Sequence, residues 1–220
     1  MKTLFEPGQQ TRLGAGQVDA CHADLGESEF PAPGLYRGNQ LTAIDDRADA
    51  LHSAIVKTLV WHDESQTQRF ATALAAVPAL RHCFIALHGE LGAGKTTLVR
   101  HLLRALGVTS PIKSPTYALV ETYEIPAPPT RSPDRAAAWP VSHFDFYRFA
   151  DPQEWEDAGF RDLFAGPGLK ISEWPDKAAG LLPQADLAVF IQVEPDARRR
   201  VRLEAGTAIG AALLTGVAGC

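Results

Sequence analysis

The 220-residue sequence predicts a single α/β domain in which a central mixed β-sheet is flanked by helices. Short apolar runs that suit buried strands alternate with segments whose apolar residues recur at helical spacing. Two of the strand-like runs are separated by a polar, Pro-rich stretch, which indicates a hairpin and therefore an antiparallel pair. The strands are predicted, in chain order, at residues 57–61, 83–88, 117–123, 141–145, 169–173, 187–193 and 199–204.

Three helices are predicted from their end signals as well as from their apolar faces. Asp63 and Asp151 are good N-caps, and Asp151 is followed by proline at the first helical position. Pro78 and Gly107 are typical of helix ends. The helices are therefore predicted at residues 64–77, 95–106 and 152–164.

The most informative segment is residues 89–96, which read Gly-Glu-Leu-Gly-Ala-Gly-Lys-Thr between a predicted strand and a predicted helix. In this G-x-x-x-x-G-K-T pattern the glycines let successive backbone N–H groups turn around a phosphate. Lys95 can then reach the β- and γ-phosphates, and Thr96 can offer its hydroxyl to Mg²⁺. The sequence thus predicts a P-loop NTPase-type domain that binds a nucleoside triphosphate together with Mg²⁺. The predicted nucleotide-binding residues of the loop are Leu91, Gly92, Ala93, Gly94, Lys95, Thr96 and Thr97, and Trp174 is a further candidate considered below.

Two carboxylates are candidates for the metal end of this site. Asp145 and Glu173 each end a predicted strand that follows the P-loop, and ligands gather at the carboxyl ends of strands in open α/β sheets. Either could instead cap its strand and face water. A hydroxyl at Thr116 could sense the γ-phosphate as switch loops do, although a Ser-Pro turn would explain the same residues. Trp174 could stack on a base or simply pack.

Composition limits the remaining function classes. A formal net charge of −5 argues against a protein that coats nucleic acid, so we expect no DNA partner. Three scattered cysteines indicate reduced thiols, and no segment suits a membrane anchor, so we expect a cytoplasmic protein. The chain lacks the Asn-Lys-x-Asp motif that reads guanine, and the paired arginines of a kinase lid are not evident.

Three regions are predicted along the chain. Residues 1–52 are Gly-rich without periodicity, and we expect a disordered N-terminal extension. Residues 53–204 form the P-loop ATPase domain, with a Pro-rich loop insertion at 126–140. Residues 205–220 carry no charge and are rich in Gly and Ala, so we expect a frayed or loosely packed C-terminal tail.

Taken together, the motifs resemble the TsaE (YjeE) P-loop ATPases of bacterial tRNA threonylcarbamoyladenosine synthesis. Behind the P-loop come Ser-Pro-Thr-Tyr, His-x-Asp-x-Tyr-Arg and Glu-Trp, a far more specific set than the P-loop alone. The stretches that carry the resemblance are 89–97, 114–121, 143–148 and 171–174. The resemblance covers about residues 57–204, and the N-terminal extension and the 126–140 insertion depart from the family pattern.

The resemblance implies roles for individual residues. Lys95 would hold phosphates, Thr96 and Glu173 would ligate or orient Mg²⁺, and Asp145 would be the Walker B-type carboxylate. The catalytic residues would be Lys95, Asp145 and Thr116, with Thr116 acting as a switch-like residue. Asp63 and Glu64 would lie near the adenosine, and Trp174 beside the site.

The resemblance also implies ATP as the substrate, Mg²⁺ as the cofactor and an accessory role for the protein. Such a protein binds the TsaB–TsaD complex, and its ATP hydrolysis resets that complex for repeated rounds of modification. tRNA would then be met only indirectly, through the complex. Two alternatives stay open at this point, a small-molecule P-loop kinase and a nucleotide-gated binding module whose ATPase activity is incidental.

Overall fold

The computed structural model describes residues 55–126 and 137–218. The predicted N-terminal extension and most of the Pro-rich 126–140 insertion lie outside the described residues. Seven strands form one sheet in the order β1-β7-β6-β2-β5-β4-β3. The strands are β1 Ile55–Trp61, β2 Phe84–His88, β3 Val120–Ile125, β4 Trp139–Asp145, β5 Leu169–Glu173, β6 Leu187–Val193 and β7 Arg199–Ala205.

The sheet is mixed, as predicted. β6, β2, β5 and β4 run parallel to one another in the centre. β7 and β1 extend the sheet antiparallel on one side, and β3 pairs antiparallel with β4 on the other. The α/β class and the central mixed sheet are thereby confirmed. Because β2, β4 and β5 are parallel, their carboxyl ends meet at one edge of the sheet.

Helices cover the two faces of this sheet. The α-helices are α1 Glu64–Ala75, α2 Lys95–Ala105, α3 Pro152–Asp157, α4 Phe160–Ala165 and α5 Ala208–Gly216, with 3-10 turns at Pro78–His82 and Pro175–Ala178. α1, α2 and α5 contribute to one apolar core, in which the α2 residues Leu98 and Leu102 are 2% exposed. The other face buries an aromatic cluster that includes Phe144, Trp155 and Phe160. Side chains alternate between faces along a strand, so Phe144 points away from its neighbours His143 and Asp145.

Two predicted elements differ locally from the structure. The predicted helix at 152–164 is two short helices, α3 and α4, because Gly159 between them has a φ of +66° and interrupts the right-handed helix. The strand predicted at 117–123 begins only at Val120, since residues 116–118 form a turn and Leu119 has a φ of +63°. The side chains of Ser114 and Thr116 bond to β4 instead, as described below.

Residues 205–218 are packed, which corrects the expectation of a loose tail for this described part of 205–220. Thr207 caps α5 by accepting a hydrogen bond from the Gly210 N–H, and Leu213 is fully buried. A Cβ built at Gly210 would lie 1.7 Å from the carbonyl oxygen of Asp186, so glycine lets α5 approach the strand that begins at Leu187. Low charge and high Gly content therefore reflect close packing here. Among the described helices, none combines the length and hydropathy needed to cross a bilayer.

Candidate functional site

The P-loop connects β2 to α2, and its glycines are required by the backbone. Gly89 has a φ of +143°, and a Cβ added there would lie 2.4 Å from the carbonyl oxygen of Ile191 on β6. Gly94 has a φ of +110° and is the N-cap of α2. The loop therefore delivers Lys95 at the first position of α2, where a helix N-terminus favours anions.

A cavity of about 340 Å³ opens above this loop. It is lined by Leu91, Gly92, Gly94, Lys95, Thr96, Thr97, Ser114, Thr116, Asp145, Tyr147, Glu173 and Trp174. The structure thus brings together ten of the eleven residues that the sequence nominated for catalysis, nucleotide or metal. The exception is Ala93, whose side chain is buried and lines a smaller cavity of about 170 Å³ that shares Gly94 and Thr97 with the first.

Lys95 is buried and lines the 340 Å³ cavity. Its Nζ donates hydrogen bonds to the carbonyl oxygens of Gly89, at 2.5 Å, and Glu90, at 2.9 Å. The same ammonium lies 3.9 Å from the centroid of the Trp174 ring. Burial lowers the pKa of Lys95 from its usual value, against the opposing influence of the Glu173 and Asp145 carboxylates. A cation is therefore held in place by neutral carbonyls and one aromatic face.

Glu173 connects the P-loop helix to the sheet. Thr96 Oγ1 donates to Glu173 Oε2 at 2.9 Å, and His143 Nε2 lies 2.9 Å from Glu173 Oε1. Glu173 is only 2% exposed, so these two contacts replace most of its hydration. These two hydrogen bonds thereby orient both oxygens of the Glu173 carboxylate.

Asp145 is held by a second hydrogen-bond network. Ser114 Oγ and Thr116 Oγ1 lie 2.7 Å and 2.6 Å from Asp145 Oδ2, and the Tyr147 N–H donates to Oδ1 at 3.0 Å. Asp145 is paired across the sheet with Glu173. The segment that carries Thr116 is thus attached directly to the carboxylate at the end of β4.

The hydroxyl and carboxylate oxygens of Thr96, Glu173 and Asp145 are hard ligands of the kind that Mg²⁺ prefers. Asp145 and Glu173 are cross-strand neighbours, and Thr96 bonds directly to Glu173. Mg²⁺ is usually bound through one or two carboxylates together with phosphate oxygens and water. The residues present fit a magnesium–nucleotide site.

Three lining or supporting residues had no assigned role in the sequence analysis. Ser114 bonds to Asp145, His143 contacts Glu173, and the Tyr147 ring lies 5.1 Å from that of Trp174. A signal existed for His143, because it precedes Asp145 by two residues and so shares its face of β4. The contacts of Ser114 and Tyr147 depend on how separate segments meet, which no local pattern reports.

Asp63 and Glu64 do not line the 340 Å³ cavity. Both line the 170 Å³ cavity, together with Gly94, Thr97 and Arg199. Asp63 also accepts the capping hydrogen bond from the Gln66 N–H of α1 at 3.1 Å. Hydrogen bonds from Ser65 and Gln66 lower the pKa of the exposed Asp63 carboxyl. This cavity adjoins the phosphate-binding loop at Gly94 and Thr97.

Comparison with known proteins identifies the family. The family model described as "Threonylcarbamoyl adenosine biosynthesis protein TsaE" matches residues 61–201. A Haemophilus influenzae relative described as "tRNA threonylcarbamoyladenosine biosynthesis protein TsaE" is 41% identical over 143 residues, 65% of this chain and 83% of the relative. A Bacillus subtilis relative with the same description is 31% identical over 156 residues, 70% of this chain and 89% of the relative.

A solved structure supports the fold independently. The crystal structure of Bacillus subtilis YdiB matches with a TM-score of 0.57 and 23% sequence identity, and the match covers 76% of this chain and 97% of that one. At this identity the likeness concerns the fold alone. The family model, in contrast, spans more than half of the chain and includes the P-loop and both carboxylates. The chain therefore belongs to the TsaE family of threonylcarbamoyl adenosine biosynthesis proteins.

Proposed function

We propose that this protein takes part in the threonylcarbamoyladenosine modification of tRNA as an ATP-binding and ATP-hydrolysing accessory protein that acts with the TsaB–TsaD complex. The observation that carries the proposal is the meeting of Lys95, Thr96, Asp145 and Glu173 in one cavity at the carboxyl edge of the sheet. The relatives' descriptions support the pathway, since they name tRNA threonylcarbamoyladenosine biosynthesis. In this account the chain supplies ATP hydrolysis and another protein transfers the threonylcarbamoyl group.

Phosphate binding would begin with an exchange of partners at Lys95. Its ammonium now bonds to the carbonyls of Gly89 and Glu90 at the neck of the loop. A phosphate in the cavity would offer charged oxygens in place of neutral carbonyls, and charge-assisted hydrogen bonds are about twice as strong as neutral ones. The backbone amides at the start of α2 would hold the same phosphate from the other side.

The metal end of the reaction would involve Thr96, Glu173 and Asp145. Thr96 and Glu173 would hold Mg²⁺, and Asp145 would orient water beside it. When bound, the ion neutralises charge on the β- and γ-phosphates. Thr116 contacts Asp145 at 2.6 Å, so a change at that carboxylate would be transmitted to the segment carrying Thr116.

The nucleoside would extend toward Asp63 and Glu64. Their 170 Å³ cavity shares Gly94 and Thr97 with the P-loop and lies away from Asp145 and Glu173. Carboxylates at this position can accept hydrogen bonds from ribose hydroxyls or from the adenine amino group. Trp174 would remain with the phosphates, since its ring lies against Lys95.

Isolated turnover should be slow, because no arginine is among the residues that line the described cavity. A nearby arginine, Arg148, stacks on the exposed Tyr117 ring at 4.3 Å and bonds to its hydroxyl. P-loop hydrolases gain several orders of magnitude in rate from an arginine that reaches the γ-phosphate. We therefore expect the TsaB–TsaD complex to complete the site or to induce the arrangement that does.

Steady-state ATP hydrolysis with Mg²⁺ tests the proposal, first with the full chain alone and then with the TsaB–TsaD complex and tRNA. We expect stimulation by the complex that Lys95→Ala abolishes. Arg100→Ala is the matched control, since it removes an exposed cation from the same helix without touching the cavity. Equal losses in the two variants would contradict the assigned role of Lys95.

Two other outcomes would point to the alternative functions. ADP formation stimulated by a small metabolite rather than by the complex would indicate a kinase. Docking and tRNA modification that survive Asp145→Ala or Glu173→Ala, with nucleotide binding intact and hydrolysis lost, would indicate a nucleotide-gated module. Fast hydrolysis by the isolated chain would contradict dependence on a partner.

A further inference from the structure

His143 is a fully buried histidine whose ring contacts a carboxylate of the proposed site. Its Nε2 lies 2.9 Å from Glu173 Oε1, and its relative exposure is 0%. An ionised carboxylate only accepts hydrogen bonds, so the Nε2 of His143 carries the proton and donates it. The tautomer is thereby fixed by its partner.

The burial of the other ring nitrogen of His143, Nδ1, is not offset by a hydrogen bond within the described residues. Nδ1 is buried and has no hydrogen-bonding partner within residues 55–126 and 137–218. An unpaired buried polar atom opposes folding. Packing between β4 and β5 would be satisfied by an apolar side chain without that cost. Among the described residues, the hydrogen bond to Glu173 is the one polar contact that the imidazole of His143 makes.

The two hydrogen bonds of Glu173 should respond differently to the binding of a magnesium nucleotide. Thr96 Oγ1, which bonds to Oε2, belongs to the P-loop helix and is the hydroxyl proposed to contact Mg²⁺. That bond is the one that binding of a magnesium nucleotide would release. His143 belongs to the adjacent sheet strand and is not among the residues that line the cavity, so its bond can persist through the exchange.

We infer that His143 is a positioning residue, which holds Glu173 Oε1 so that Oε2 stays directed at Thr96 and a magnesium-bound nucleotide. The inference rests on the proposed function. His143 acts through Glu173 and touches neither phosphate nor metal. Residues that orient a metal ligand in this way typically change metal affinity by about 10- to 100-fold when they are removed.

The test compares binding of a non-hydrolysable ATP analogue to the full chain by calorimetry, with Mg²⁺ and with EDTA. His143→Leu removes the donor, whereas the amide of His143→Gln can reach the position of Nε2 and donate. We expect His143→Leu to lose about tenfold or more of the affinity gained from Mg²⁺ and to keep its affinity in EDTA. His143→Gln should retain most of the gain.

Val141→Ala is the matched control for lost stability. Val141 is fully buried on the same face of β4 but lies outside the cavity. The thermal midpoint of the Val141→Ala variant should therefore fall, while the affinity that it gains from Mg²⁺ should not change. If His143→Leu does not fold, His143→Asn provides the same comparison, because its shorter amide cannot span the distance to Glu173.

Each result decides between the two claims. A magnesium effect that His143→Leu or His143→Asn leaves unchanged would overturn the inference and leave the proposed function standing. Failure of the unsubstituted protein to bind the analogue under either condition would overturn the proposed function and the inference together.

Discussion

Gly89 and Gly92 offer a matched pair for testing how tightly the sheet constrains the P-loop. Both have positive φ, +143° and +81°, and alanine at either position is strained by its backbone. At Gly92 a Cβ meets nothing within 4 Å, so Gly92→Ala should cost about 1–2 kcal/mol. At Gly89 the Cβ would lie 2.4 Å from the backbone oxygen of Ile191 on β6, which cannot swing away as a side chain could.

The expected cost of Gly89→Ala therefore has two parts. An alanine at this φ costs about 1–3 kcal/mol, and displacement of packed backbone adds about 1–3 kcal/mol, for a total of about 2–6 kcal/mol. For a chain of this size each kcal/mol corresponds to about 2–4 °C in Tm. Urea unfolding followed by circular dichroism measures both variants. The slope of the unfolding free energy against urea should be unchanged, so that the midpoints report stability.

The same variant should weaken nucleotide binding, because a shift of the strand-to-loop junction displaces the loop that carries Lys95 and the backbone amides proposed to hold phosphate. Equal unfolding free energies for Gly89→Ala and Gly92→Ala would refute the reasoning, since they would mean that the Ile191 carbonyl exerts no steric constraint on the loop.

Three further predictions concern the rest of the fold. Leu213→Ala should destabilise the protein by about 2–5 kcal/mol in urea unfolding because it opens a cavity under α5. Thr215→Ala, at an exposed position of the same helix, should change the unfolding free energy little. Equally small effects of the two substitutions would indicate that this segment is loosely packed after all. Burial lowers the pKa of His88, which stacks on Phe190, so the unfolded chain binds the proton more tightly. The unfolding free energy should thus decline as pH falls below about 6.5, and less so in His88→Gln, when urea unfolding is compared across pH; identical pH profiles would contradict this. Burial also raises the pKa of the Cys83 thiol, so peptide mapping after iodoacetamide treatment should find it modified only as urea unfolds the chain, and rapid labelling of the native protein would count against this packing.

Much of the architecture was predictable because its signals are local. The strands at Leu169–Glu173 and Leu187–Val193 have the predicted bounds, since each is a short apolar run between strong turn residues. The caps at Asp63 and Asp151 are present as predicted, because a side chain that bonds to an amide two or three residues ahead acts within one turn. The predicted bounds of an element were wrong where a single residue has a positive φ. Gly159 separates two helices, although the helical spacing of apolar residues continues from one to the other.

The candidate site also has a part that the sequence predicts and a part that depends on tertiary structure. The sequence by itself determined the P-loop, because the glycines, Lys95 and Thr96 lie within eight residues and their roles follow from backbone geometry. It nominated Asp145 and Glu173 from their positions at strand ends. Only the tertiary structure decided that β4 and β5 are neighbours in a register that pairs these two carboxylates.

Tertiary structure also decided which side chains support the site and how the chain ends. The contacts of Ser114 with Asp145 and of His143 with Glu173 span 31 and 30 residues, and the packing of α5 depends on a glycine that faces another strand's end. Periodicity and capping describe a segment and its immediate neighbours, so they carry no information about which distant segment arrives beside it. Thus the sequence determined the sheet-forming elements and the phosphate loop, while the order and register of strands determined the rest of the site.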